Sequence, residues 1–294
     1  MTRRLRRAGQ RFDTNPSVRC RHRPLLLALA VLGAPATAAA APPNPCLDPD
    51  RRANLRCPDL VMKRPFGLSL DPLVKPGRLV LRAGNSIDNV GRGPAELLGV
   101  RSGPFLMKAR QRIYRRQPIN GKRRLGITTG ARLFFKFVPG QVRYWKYHHA
   151  AAFQLWRLDR RGERARLVRR GPKISYCLRD LQHSRPQRPF SPPNPVYPAC
   201  DTSFLARKVE LGTSVGWSDV YPPSYPEQWI DVTGLRGCFA YRHVADPGNG
   251  ILESDERNNA ATTIVRLPFR YGRQRCPGHR SKRSPQAGGG GGYR

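Results

Sequence analysis

Gln228-Trp229-Ile230-Asp231-Val232-Thr233 is the stretch on which the fold turns. Its apolar, β-branched run Trp229, Ile230 and Val232 lies between the proline-rich Tyr221–Pro226 and Gly234, the pattern of a short buried strand. Just upstream, Gly216-Trp217-Ser218-Asp219-Val220-Tyr221 sets Tyr221 after an aromatic-acidic turn. Downstream, Gly250-Ile251-Leu252-Glu253-Ser254-Asp255-Glu256-Arg257-Asn258-Asn259 brings Glu253, Asp255, Asn258 and Asn259 within seven residues. Those oxygen-bearing side chains suit a hard cation such as Ca²⁺.

Working outward, the same short-strand pattern recurs. Arg78–Arg82, Ala95–Val100, Ala131–Val138, Ala165–Arg169, Lys173–Cys177, Cys238–Val244 and Ala260–Leu267 read as strands, and Gly162 as a hairpin turn. Residues 108–124, basic and with little apolar periodicity, read as a surface loop. Residues 182–199 hold six prolines and read as a long loop. No segment has sustained helical periodicity. The expectation is an all-β, β-sandwich-like domain over 42–268 with long loops and disulfide staples. Residues 269–294, basic and ending in Ala287–Gly292, read as a disordered tail.

The N-terminus points to export. Residues 1–24 carry eight Arg and one Asp; Leu25–Leu32 is an apolar run, and Ala36-Thr37-Ala38 or Ala38-Ala39-Ala40 offers a cleavage site. Residues 1–41 therefore read as a signal peptide, too short in its apolar part to anchor the chain in a bilayer. Arg3-Arg4 and Arg6-Arg7 lie far from the apolar run, and the export route is open. Cys20 would leave with the signal. The remaining Cys46, Cys57, Cys177, Cys200, Cys238 and Cys276 are even in number, as disulfides in a secreted or envelope protein require. Proximity along the chain gives the pairs Cys46–Cys57, Cys177–Cys200 and Cys238–Cys276.

The formal charge is +35, of which the signal supplies +7 and the tail from Arg266 +8. The body keeps +20, a field that attracts anionic envelope polymers. No helix-turn-helix, RRM or zinc-finger pattern accompanies it, so no specific nucleic-acid partner is expected. The plainer account of the charge is a solubilising, Arg-rich surface.

Residues 56–265 resemble the lysyl oxidase family, the secreted copper- and quinone-dependent amine oxidases. The resemblance rests chiefly on Gln228-Trp229-Ile230-Asp231 and on Glu253-Ser254-Asp255-x-x-Asn258-Asn259, with Pro58-Asp59-Leu60-Val61 as the family's opening. The run Leu79–Leu98, around Ser86-Ile87-Asp88-Asn89-Val90-Gly91, is similar to two paired strands found early in such domains. The resemblance implies oxidative deamination of lysyl or other primary amines by O₂, giving an aldehyde, H₂O₂ and ammonia. It also implies lysine tyrosylquinone, a cofactor built from one lysine and one tyrosine. Gly171-Pro172-Lys173-Ile174-Ser175-Tyr176-Cys177-Leu178-Arg179-Asp180 matches the family's lysine segment at Lys173, and the quinone tyrosine falls on Tyr221. Asp219 is the candidate base.

For copper the family places His-x-His-x-His on a strand, so that alternation sets all three imidazoles on one face. Here the segment is Tyr144-Trp145-Lys146-Tyr147-His148-His149, followed by Ala150–Phe153. Anchored on Phe153, His148 takes the third position while Lys146 and Tyr144 hold the others. Anchored on His149, Tyr147 and Trp145 hold them. The copper candidates are His148, His149 and His243, although adjacent strand histidines are expected on opposite faces. The Ca²⁺ set implied by the resemblance is Asp59, the Leu60 carbonyl, Glu253, Asp255, Asn258 and Asn259, pinning the N-terminal strand to the C-terminal hairpin. A second reading is a catalytically degenerate, calcium-stabilised module that binds anionic envelope polymers.

Overall fold

A computed structural model describes residues 43–137, 139–140, 142–268 and 276–277. The expected signal peptide 1–41, Cys20, and the tail 269–294 apart from 276–277 lie outside the described residues. A single helical turn, α1 (Pro49–Arg52), is capped by Asp48, whose side chain accepts from the Asp50 and Arg51 amides. The rest of the described residues is strand and loop. In chain order the strands are β1 (Leu55–Arg56), β2 (Leu60–Met62), β3 (Phe66–Asp71), β4 (Val80–Asn89), β5 (Ala95–Gly103), β6 (Leu106–Ile119), β7 (Lys122–Lys136) and β8 (Tyr144–His148). There follow β9 (Ala151–Leu158), β10 (Arg164–Arg170), β11 (Ser175–Tyr176), β12 (Lys208–Thr213), β13 (Ser218–Tyr221), β14 (Trp229–Asp231), β15 (Gly237–Ala245) and β16 (Ala260–Leu267). No helix among the described residues is long and apolar enough to cross a membrane.

The strands form three sheets. One runs β11-β8-β7-β6-β5-β12 with β1 on β6; a second runs β10-β9-β15-β16. In the third, β4 is the hub: β14 and β3 pair with its first half, β13 and β2 with its second. Both edges of β4 are paired, and its burial pattern shows that both of its faces are covered as well. Nearly every residue of β4 is accordingly buried, polar ones included. Leu81 and Ile87 of β4, Leu97 of β5, Leu133 of β7, Phe153 of β9 and Phe239 of β15 belong to one core cluster, so side chains from all three sheets meet in it. A smaller cluster of Leu55, Ile113 and the Cys46 and Cys57 half-cystines seals the N-terminal end. The chain is all-β and disulfide-stapled, with Cys46–Cys57, Cys177–Cys200 and Cys238–Cys276 formed as proximity indicated.

Two expectations are corrected. Residues 108–124 are not a loop but most of a hairpin, β6–β7. Met107, Ala109, Gln111 and Ile113 point inward, alternating with Lys108, Arg110 and Arg112, the period of a half-buried strand. Asn120 and Gly121, at φ 50° and 72°, form the two-residue turn, and Ile119 pairs with Lys122 across it. The abundance of arginine hid that alternation. The early strands β4 and β5 are also not paired with each other. β5 pairs with β6 and β12, because the turn at residues 90–94 carries the chain from one sheet to another.

Candidate active site

Gly171 opens the segment that delivers Lys173. Its amide donates to the Phe153 carbonyl, and a Cβ there would stand 2.9 Å from both Phe153 Cβ and the Trp229 carbonyl oxygen. Only glycine lets the backbone pass that closely. Beyond it the chain turns inward, and Lys173 is 1 % exposed. Tyr221 arrives from the opposite direction, at the end of β13, held by its pairing with Asn85 of β4. The Lys173 ammonium nitrogen lies 4.8 Å from the Tyr221 ring centroid, 4.7 Å from that of Tyr176 and 5.1 Å from that of Tyr225. The three rings also pack on one another, Tyr221 lying 4.9 Å from Tyr176 and 4.8 Å from Tyr225. Two residues that the sequence places 48 positions apart thus share one chamber.

Other polar groups complete the chamber. Asn85 Nδ2 donates to the Tyr176 hydroxyl at 2.7 Å. The hydroxyls of Tyr144 and Tyr225 are 3.3 Å apart, and Lys136 pairs with Glu227 at 3.0 Å beside them. Asp219 is fully buried, and neither carboxylate oxygen has a hydrogen-bond partner of acceptable geometry. Both polar atoms of the buried Gln228 amide and Asn85 Oδ1 are likewise without a partner. Buried polar groups are normally satisfied, and clusters of unsatisfied ones mark places where water or a ligand belongs.

Burial governs the protonation of this chamber. It pushes the Asp219 carboxyl up to about 8; the Tyr221 phenol, Arg179 and Lys173 oppose that only in part. Burial also lowers Lys173 to about 8, against the attraction of Glu227 and Asp219. Lys146 falls to about 7, through burial first and then through the nearby Lys173 and Lys136 charges. The Tyr221 and Tyr176 phenols are driven well above their ordinary value by burial. At neutral pH the chamber therefore holds a protonated acid, neutral phenols and lysines close to losing their protons.

The histidines do not join this chamber as a metal set. His148 ends β8, but His149 turns out of the strand with φ 60°. The two rings consequently lie 4.0 Å apart, instead of on opposite faces as strand geometry implied. His243, on β15, stacks on Phe153 at 3.8 Å, with both ring nitrogens unpartnered and its pKa pushed down to about 3 by burial. Lys146, two positions before His148 on β8, is buried with its ammonium 4.3 Å from the Tyr144 ring centroid. Among the described residues no three His, Cys, Asp or Glu side chains converge as a metal site. The residues present do not fit a three-histidine copper centre, and the expected His148, His149 and His243 set is not assembled.

The C-terminal cluster is assembled differently. Glu253, fully buried, accepts from the Leu60 amide and, at 2.7 Å, from Asn259 Nδ2. Asn258 Nδ2 donates to Asp59 at 2.8 Å, and the Ser254 amide to the Pro58 carbonyl at 2.9 Å. These contacts clasp the start of β2 to the loop before β16. Asp255 forms an ion pair with Arg257 at 2.9 Å, and its charge helps to raise the Asp59 and Glu256 carboxyls. Asn258 Oδ1, Asn259 Oδ1 and Glu256 Oε2 are buried without partners, oxygens of the kind that a hard cation takes.

Sequence reasoning found Lys173, Tyr221 and Asp219 but not Tyr176, Tyr225, Asn85 or Gln228. Tyr176 and Gln228 lie inside the very segments that were singled out; Asn85 and Tyr225 carry no local signal and are recruited by pairing and by the loop after β13. No curated protein matches the sequence significantly. Residues 141–273, spanning β8 to the end of β16, match the family model named lysyl oxidase. Lys173, Tyr221 and the clasp's C-terminal half all lie inside that match, which supports membership of the lysyl oxidase family.

Proposed function

We propose that this protein is an exported amine oxidase in which Lys173 and Tyr221 are the pair that becomes lysine tyrosylquinone, with O₂ as the oxidant of the phenol and the source of the added quinone oxygen. The observation that carries the reading is the Lys173 ammonium 4.8 Å from the Tyr221 ring inside a buried chamber. Such a quinone supplies an electrophilic carbonyl and a two-electron sink, so that a primary amine, O₂ and water yield an aldehyde, ammonia and H₂O₂. The chain's own residues do the rest. Tyr176 and Tyr225 hold the lysine stem against the phenol, and Asn85 holds Tyr176. Asp219, two residues from Tyr221 and protonated at neutral pH, is the group placed to exchange a proton there. Ca²⁺ would serve as a structural ion at the clasp, held by Glu253, Asn258 and Asn259 with Asp59 and the Leu60 carbonyl opposite. Asp255 is left out of that set by its pairing with Arg257. No role is assigned to copper.

Peptide mass spectrometry of the aerobically purified protein, with and without copper loading, tests the pair. A cross-linked peptide joining Lys173 to Tyr221, together with a coloured phenylhydrazine adduct, is the expected result. Two separate unmodified peptides under both conditions would refute it. A second reading, an exported module without catalysis, is favoured by the lysine that stands in β8 where the family carries a histidine.

A further inference from the structure

Seven arginines line two cavities whose walls include none of the groups that surround Lys173. The first, about 430 Å³, has Arg52, Arg92, Arg116 and Arg188 in its walls. The second, about 340 Å³, has Arg56, Arg92, Arg115 and Arg123, with Tyr114 and Phe190 beside them. Arg92 belongs to both, so the two are subsites of one cleft. Its floor is rigid: the Cys46–Cys57 disulfide lines the first cavity, and β1 pairs with β6 through Arg56 and Tyr114.

Such a concentration of like charge is unfavourable unless an anion offsets it. Among the described residues only Asp59 offsets any of it, through its attraction to Arg188. None of the seven arginines forms an ion pair with a described residue. The only acidic side chain among the described residues lining either cavity is Asp59, which already accepts from Asn258. Glu96, beneath the second cavity, is consumed by Arg112, Tyr114 and Tyr197. The Nε–H donors of Arg56 and Arg188 are buried with no acceptor. Guanidinium forks are matched to the paired oxygens of sulfate, phosphate and carboxylate.

We propose that this cleft binds a linear acidic polysaccharide, with successive anionic groups in the two cavities and Arg92 between them. Two neighbouring subsites suit a polymer whose charges recur at intervals, whereas single-stranded nucleic acid is usually held in a continuous groove with a run of stacking aromatics. Here the exposed Phe190 is already covered by the Arg56 guanidinium, 4.3 Å from its ring centroid. The three disulfides suit an oxidising compartment such as the cell surface or the extracellular space. The inference does not depend on amine oxidation, and it supplies the location that a polymer-binding module would need.

The test is calorimetric titration of the full disulfide-bonded protein in 150 mM NaCl with a heparin-derived hexasaccharide. Maltohexaose and a dT oligonucleotide of matched charge serve as comparators. Saturable binding of one hexasaccharide per chain is expected, with none for maltohexaose. Arg56→Lys/Arg92→Lys keeps the charge but removes two forks, and is expected to weaken binding by roughly tenfold. Lys108→Gln/Arg110→Gln removes two charges outside the cleft and is expected to weaken it by no more than about twofold. The reverse ranking would show a diffuse field and overturn the site, as would absence of saturable binding. Oligonucleotide binding as tight as that of the hexasaccharide, and equally sensitive to the cleft variant, would overturn the polysaccharide assignment. Turnover is not part of the readout, so failure of quinone formation would leave this result standing.

Discussion

The clasp and the chamber are both built from residues far apart in sequence and both bury charge, yet they treat it in opposite ways. At the clasp, Glu253 is met by the Leu60 amide and by Asn259, and Asp59 by Asn258. Likewise Asp180, which organises the long proline-rich loop, accepts from the amides of Val196, Tyr197 and Ser214 and from the Ser214 hydroxyl. In the chamber, Asp219 has only the Tyr221 phenol beside it as a donor, and Lys173 is met by aromatic faces. A satisfied buried carboxylate holds structure together. A buried carboxylate with few donors is costly to keep.

The comparison breaks most visibly at the chamber. Tyr221→Phe and Lys173→Met are each expected to lower amine turnover by about a thousandfold or more, while leaving the urea unfolding midpoint close to the parent's. A large loss of stability with retained turnover would mean that the pair is merely structural. At the clasp the expectation reverses. Glu253→Ala strands the Leu60 amide and the Asn259 side chain in a buried site and should cost about 2–4 kcal/mol, read by equilibrium unfolding.

The pH dependence sharpens the contrast. Asp219 is raised from 3.8 to about 8, so the folded chain holds that proton longer than the unfolded chain does. Its contribution to stability is full below about pH 4 and is lost as pH climbs towards 8. Lys173 is depressed from 10.5 to about 8, and its contribution therefore grows as pH rises from about 8 to 10.5. Lys146 acts in the same sense from about 7 upward. Asp219→Asn should flatten the decline between pH 4 and 8 and stabilise the protein at pH 8 by on the order of 1–2 kcal/mol. Unfolding midpoints at pH 5, 7 and 8 measure this, and an unchanged slope would show that Asp219 does not carry the proton. The smallest expected effect belongs to Asp255→Asn. Because Asp255 is paired with Arg257, the thermal midpoint with Ca²⁺ or with a chelator should match the parent's in each condition. Loss of a Ca²⁺-dependent shift in that variant alone would restore Asp255 to the ligand set.

Local sequence carried much of this. Alternation and turn residues made the chain all-β, and β16 was legible to the residue as Ala260–Leu267. Proximity along the chain was enough for three disulfides. Lys173 and Tyr221 were legible because each sits in a specific motif. The β6–β7 hairpin is equally written in alternation and in Asn120-Gly121, beneath a charge density that resembles a surface loop.

What the sequence determined by itself was the kind of element and the identity of the chemically able side chains, since strand period and turn chemistry act over a few residues. What only the tertiary structure decided was company: which groups surround Lys173, whether the histidines converge, and that arginines from α1, β1, β6, β7 and two loops face one cleft. Pairing between distant strands depends on how well whole faces pack, and a long-range contact leaves no mark at either of its ends.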